Sequence, residues 1–430
     1  MVLKKYILFI AITVLLISCD KNDKQITNTE DYQSYLTSND TQSIAFAEAE
    51  KEFWKAKHEA APNQVSYLGP LAASHSTLFE YNGTIDDLKK SEAYLVEANK
   101  KRAYKSASLL RALAKNYISQ HRFKEALALL NSAFVLGEKK LSTQKMLFDV
   151  YLELGDEPNA SKNLAAIKDL NDFDYLIRLS KWLDHQGDLD AAIAYLEKAK
   201  LKAEGTNSES LMLWSYSNLA DFYGHAGNIK VAYKYYLKAL AIDSNYTYAL
   251  RGIAWIVFSH EKNSTEAANI INAIAKKHNT PDLQLFKADL AEFENDTKSQ
   301  EIYLQNYLSM VNNKSYGAMY TSYNALIYAD SDDQIDTAIA LATQEIENRP
   351  TAHSYDLLAW AYHKKGASQK ALDIIQNHVV NKTFEPVILY HMAEIYKANG
   401  MGKFAMKIKK ELLESAFEIG PLMSQKVHKI

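Results

Sequence analysis

The sequence predicts an all-α fold, a solenoid of antiparallel helix pairs, on three observations. Proline and glycine number only 7 and 14 in 430 residues, whereas Ala, Leu, Lys, Glu and Tyr abound. Strand-rich folds that consume turn residues are therefore poorly supplied. A constellation of large and small residues returns at intervals of about 34 residues, the period of a helix-turn-helix repeat. No single copy can bury its own apolar face, so the copies must stack.

Charge and cysteine narrow the function classes. With 49 basic against 52 acidic residues and a formal net charge of -3, the chain lacks the basic excess that phosphate contacts need, so nucleic acid is not expected as a partner. The single cysteine, Cys19, excludes an intramolecular disulfide framework and a cysteine-rich zinc site.

The first element, MVLKKYILFIAITVLLISC, places Lys4 and Lys5 before an apolar run from Tyr6 to Ile17 and then turns abruptly polar. That is the form of a secretory signal, too short for a comfortable transmembrane helix. Leu16-Ile17-Ser18-Cys19 resembles the bacterial lipobox. The resemblance implies a lipoprotein signal peptide over 1–18 and a diacylglyceryl group on Cys19, so that the chain is anchored without spanning a membrane. The charged residues after the cysteine resemble those of lipoproteins that Bacteroidota send to the outer membrane, on its periplasmic face or the cell surface. Residues 19–40 are polar and turn-prone without apolar periodicity, and are expected to form a flexible tether with a reach of roughly 25 Å.

Residues 41–106 contain helical runs at Ser43 to Glu59, Ser66 to Tyr81 and Ile85 to Lys101, expected as a capping helix and one divergent pair. The array proper is expected over 107–416. Its clearest copy is YSNLADFYGHAGNIKVAYKYYLKAL, in which Tyr216, Leu219-Ala220, Tyr223, Gly227, Ala232, Tyr236 and Ala239 keep fixed distances. The pattern resembles the tetratricopeptide repeat, which implies helix pairs stacked in a right-handed superhelix. Leu113-Ala114, Tyr117, Ala126, Leu130 and Ala133 repeat it, as do Leu147, Tyr151, Gly155, Ala160 and Leu164, and then Leu179-Ser180, Gly187, Ala192, Leu196 and Ala199. Downstream, Ala338 and Pro350 mark one copy, Leu358-Ala359, Tyr362, Gly366 and Ala371 another, and Met392-Ala393, Tyr396, Gly400 and Ala405 a last.

Two copies depart from the pattern. The one from Thr247 reaches Ala267 one residue late, which predicts a longer turn, and the stretch near 280–312 keeps helical periodicity with few signature residues. Residues 417–430 are expected as a C-terminal cap or tail, with Phe417 to Leu422 able to fold back into the groove.

The spacing has a packing cause. Small side chains at Ala220, Ala232 and Ala239 let backbones approach, and aromatic rings fill the wider gaps between them. The resemblance further implies that the first helix of each pair lines a concave groove. Projected along the chain, early repeats offer charged Arg111, Lys115, Lys145, Asp149, Lys181 and Asp184. Later ones offer Trp214, Asp221, Tyr248, Arg251, Trp255, Tyr320, Tyr323, His353, Asp356, Trp360, His363 and Tyr390.

Arg251, Trp255, Tyr320, Tyr323, Trp360 and Tyr390, with Arg111 and Lys115, are the candidate binding residues, since aromatic and Arg side chains dominate contact hot spots. The same rings are also what an inter-repeat core would use. The Lys–Asn carboxylate clamp of some tetratricopeptide domains is missing its Asn here. These residues point to a membrane-anchored scaffold that binds an envelope protein or peptide. The alternative is a glycan-binding lipoprotein of a nutrient-uptake complex, which would stack sugars on the same rings.

Catalytic and metal patterns are weak. His391 and Glu394 lie one turn apart without a further zinc ligand, and read as a solvated groove pair. Asp330 to Asp336 alternates acidic residues but lacks the glycine and the bidentate Glu of a calcium loop. No glycine-rich phosphate loop or nucleophile elbow appears. No enzyme activity, metal or cofactor is expected.

Overall fold

The computed structural model describes residues 25–38, 42–331 and 333–430; the expected signal peptide and Cys19 lie outside the described residues. Among these the chain is helical throughout, without a strand. Two single helices lead, α1 (Thr29–Thr37) and α2 (Gln42–Ala60). Pairs follow: α3 (Leu68–Asn82) with α4 (Ile85–Lys101), α5 (Ala107–Ser119) with α6 (Phe123–Leu136), and α7 (Lys140–Glu153) with α8 (Glu157–Ala166). Next come α9 (Phe173–His185) with α10 (Leu189–Thr206), α11 (Glu209–His225) with α12 (Ile229–Ile242), and α13 (Thr247–Trp255) with α14 (Ser264–Ala275). The array continues with α15 (Pro281–Phe293) and α16 (Thr297–Val311), α17 (Thr321–Ala329) and α18 (Ile335–Asn348), and α19 (Ala352–Lys364) and α20 (Ser368–His378). A last pair, α21 (Pro386–Ala398) and α22 (Gly402–Glu414), precedes the kinked helix α23 (Ala416–His428). Each pair packs on the next, which makes the molecule an all-α solenoid.

Local chemistry sets the turns. Gly187 ends α9 with a left-handed backbone (φ 81), and Asp188 then caps α10 by accepting the Ala191 N–H at 3.1 Å. Copies without this glycine put His121 (φ 57), Lys262 (φ 60) or Asn295 (φ 58) in the same conformation, at the cost an L side chain carries there. At the crossings Ala220, Ala232 and Ala239 are buried, and the Tyr236 ring lies where a Cβ on Gly252 would overlap it.

The late register of the copy from Thr247 has another cause than the longer turn expected. The extra residue is absorbed as a π-helical turn, Ile256–His260, that prolongs α13. Such a turn widens the helix to fit one more residue without breaking it. The stretch near 280–312 is a helix pair whose second member buries only Tyr307, so the small signature residues have no close crossing to serve.

Both chain ends differ from the expectations of free tether and open groove. Within the supposed tether, α1 is ordered and Tyr32 is completely buried, donating to Glu266 at 2.9 Å. The Ile26 and Thr27 N–H groups both donate to Glu261 Oε1, at 2.8 and 2.7 Å, and the Tyr233 hydroxyl donates to Asp31 at 3.0 Å. Hydrogen bonds to charged groups fix this segment where apolar periodicity gives no signal.

At the other end, α23 lies in the groove. Gly420 (φ 71, ψ 176) breaks it into two pieces, and Pro421 restarts the helix. A Cβ on Gly420 would stand 2.7 Å from the Trp255 ring, and one on Gly224 2.9 Å from the Phe417 ring. The Ser259 hydroxyl, inside the π turn, donates to the Phe417 carbonyl at 2.5 Å.

The array also closes across the groove. Asn348 Nδ2 donates to the His121 carbonyl at 3.2 Å, Arg349 pairs with Glu153 at 3.5 Å, and Lys124 donates to the Glu347 carbonyl. Tyr316 packs on Ile85 and Leu88.

Two glycine substitutions separate close approach from helix propensity. Gly252→Ala should destabilise by about 1–3 kcal/mol through overpacking against Tyr236. Gly205→Ala, in a helical stretch with open space around it, should stabilise by about 0.5–1 kcal/mol. Denaturant midpoints moving in opposite directions confirm this packing; a neutral Gly252→Ala contradicts it. Gly420→Ala should cost about 1–3 kcal/mol, because its backbone conformation belongs almost solely to glycine.

Candidate functional site

What α23 leaves open is a cavity of about 510 Å³ on the concave side. Its walls follow from helical spacing, since residues three or four apart share one face. Asp221, Gly224 and His225 come from α11, Tyr248, Arg251 and Trp255 from α13, and Asp282, Phe286 and Asp289 from α15. Tyr320 and Tyr323 come from the start of α17, while Phe417 and Glu418 are the contribution of α23.

The polar groups divide into paired and unpaired. Asp221 accepts the Tyr236 hydroxyl at 2.5 Å and the Tyr248 hydroxyl at 2.6 Å. Its burial still pushes its pKa up, against those hydrogen bonds. Arg251 forms an ion pair with Asp282, and the Tyr320 hydroxyl lies 3.5 Å from the same carboxylate. Burial pushes the His121 imidazole down, so the neutral form is favoured.

Asp289 has no hydrogen bond or ion pair among the described residues. Protein surrounds it, and the surface it keeps belongs to the cavity it lines. Desolvation pushes it up to about 7, with repulsion from Glu292 adding to the rise and Lys426 opposing it. Glu418 is also pushed up, by burial first and by Glu385 and Asp184, against the attraction of His225.

Of the residues singled out in the sequence, Arg251, Trp255, Tyr320 and Tyr323 meet on this cavity. Trp360 and Tyr390 do not. Both are buried in a core that contains Ile419 and Val427 of α23, and Trp360 stacks on His391 at 4.0 Å between centroids. They correct the expectation of groove lining, because α23 covers the surface they would have offered. His391 is likewise no solvated partner of Glu394; it is buried, with Nδ1 2.7 Å from Asp356 Oδ2.

Arg111 is used locally, donating to the Glu138 carbonyl at 2.9 Å and to Thr143 Oγ1 at 3.1 Å. Lys115 is exposed, with its ammonium 4.0 Å from Glu80. Neither reaches the cavity. Sequence reasoning missed Asp282, Phe286 and Asp289, although their spacing after Pro281 is that of one helix face. It also missed His225 and Glu418.

The titration of Asp289 has a sign. Its folded value near 7 exceeds the roughly 3.9 of an unfolded aspartate, so between those limits the folded chain holds a proton that the unfolded chain has lost. Stability from this group therefore falls as pH rises through that window. Asp289→Asn should flatten the fall of melting temperature between about pH 5 and pH 8 and be the more stable protein at the upper limit. Parallel curves for the two proteins would contradict the assignment.

No protein-family model matches the chain, and no curated relative matches it. Solved structures resemble it at low identity. A tetratricopeptide repeat protein from Parabacteroides merdae is 17% identical over 53% of this chain and 89% of its own, with a TM-score of 0.39. Pseudomonas aeruginosa PilF is 17% identical over 49% and 94%, with a TM-score of 0.36. The human IFIT1 dimer with PPP-AAAA is 12% identical over 73% and 71%, with a TM-score of 0.45. Likenesses this distant carry no argument about what the present chain binds.

Proposed function

We propose that the chain is an interaction scaffold, held at the cell envelope by lipid on Cys19, which takes a short segment of an envelope protein into its concave cavity. The observation that carries this reading is the convergence of Trp255, Tyr320, Tyr323 and Arg251 on the one part of the groove that α23 leaves open. Rigid rings and a guanidinium around a concavity are the composition of binding hot spots. Its volume falls in the range of small-ligand sites, which suits a few residues of an extended segment and excludes a docked helix.

Further features support the reading. The cavity lining holds no serine, cysteine or lysine nucleophile, in keeping with recognition. No described helix is long and apolar enough to cross a membrane, so attachment is assigned to the lipid. With Cys19 acylated, residues 20–24 separate the anchor from the hydrogen bonds of Ile26 and Thr27 to Glu261. That length extends at most about 20 Å, which holds the Glu261 side of the solenoid close to the bilayer.

A photo-crosslinking amino acid placed at Tyr323, which is 47% exposed on the cavity, tests the reading in cells. A discrete envelope protein should be captured there and not from Trp214, which is exposed outside the cavity. Arg251→Ala should reduce the capture severalfold. Equal capture at both positions, or none at Tyr323, sinks the proposal. Binding of the purified protein to glycans with loss in Tyr323→Ala would transfer the cavity to a carbohydrate ligand.

A further inference from the structure

We infer that the cavity receives a cationic side chain of the bound segment, a guanidinium or an ammonium, with Asp289 as its counter-ion. This deepens the scaffold reading and rests on it.

The charge census of the walls leads to that class of ligand. Four carboxylates line the cavity, from Asp221, Asp282, Asp289 and Glu418, against one permanent cation, Arg251. Arg251 is committed to Asp282. The two imidazoles in the lining do not redress the balance: His121 is held towards its neutral form, and His225 faces Glu418 and Asp221. The nearest cation outside the lining, Lys426, is 3.9 Å from Glu292. An anionic ligand would therefore meet repulsion from groups that have nowhere to move.

Asp289 is the independent observation. It is enclosed, unpartnered and aimed into the cavity, an arrangement that costs free energy in the empty protein. A cation placed beside it regains a charge-assisted hydrogen bond. The rings around it suit the same ligand: Trp255, Tyr248, Tyr320 and Tyr323 present faces to which a desolvated cation is attracted. Sugars would use the rings equally well, but they would leave Asp289 without a counter-charge. A neutral apolar segment would bury it with no partner at all.

The test uses the full mature chain and four capped tripeptides, Ala-Arg-Ala, Ala-Lys-Ala, Ala-Gln-Ala and Ala-Glu-Ala, titrated by calorimetry and by competition with crosslinking at Tyr323. The inference expects the cationic peptides to bind at least about tenfold more tightly than the others, the arginine and lysine arms showing which head group fits. It also expects Asp289→Asn to erase that preference. Because the substitution removes an unfavourably buried charge, an unchanged or raised melting temperature shows that the variant is folded. Preference for the glutamate peptide, no preference, or a cation preference that survives Asp289→Asn overturns the inference. If the envelope partner is still captured at Tyr323 in any of those cases, the scaffold reading stands without it. If capture at Tyr323 also fails, both are lost.

Discussion

The seat of α23 against the π turn of α13 is the contact on which the shape of the site depends. Phe417 fills the space that Gly224 leaves, Trp255 fills the space that Gly420 leaves, and Ser259 ties the Phe417 carbonyl between them. Each glycine is matched by a ring, so neither can gain a Cβ without displacing the other side of the contact. With the tail in place, the wide groove of an open solenoid becomes a cavity with a fourth wall made by Phe417 and Glu418. Remove it and the cavity loses both its boundary and one of its carboxylates.

The same irregular turn holds the other end of the chain. Glu261 follows the π segment directly and binds the backbone of Ile26 and Thr27, while Tyr32 reaches Glu266 on the next helix. One extra residue in one repeat thus turns side chains outward to hold the N-terminal segment and inward to hold the C-terminal one. A π turn lacks the tight ladder of its neighbours, and here tertiary bonds on both sides stabilise it. Contacts of the 347–351 turn with His121, Lys124, Glu153 and Gly155 add a second closure, between repeats that are far apart in sequence.

How much was legible in the sequence follows the range of each interaction. Ala220, Ala232 and Gly187 answer to packing within one pair or its neighbour, so their types recur at fixed spacing and reveal the array. Arg251, Trp255, Tyr320 and Tyr323 could be placed by projecting that register onto the inner face. Asp282 and Asp289 escaped because their pair lacks the small residues that mark register. Trp360 and Tyr390 were misplaced because the segment that buries them lies outside the repeat. Tyr32 was illegible for another reason: hydrogen bonds to Glu261 and Glu266 hold its segment, and these leave no trace in hydrophobic periodicity.

Amide hydrogen exchange across residues 416–428 of the full chain tests the central contact most directly. Seated in the groove, the segment opens only with the array around it, so its amides should be protected to the same degree as those of α12 in the middle of the core. Exchange at the rate of an unstructured peptide, while α12 stays protected, would show that the tail is not the fourth wall and that the groove is open.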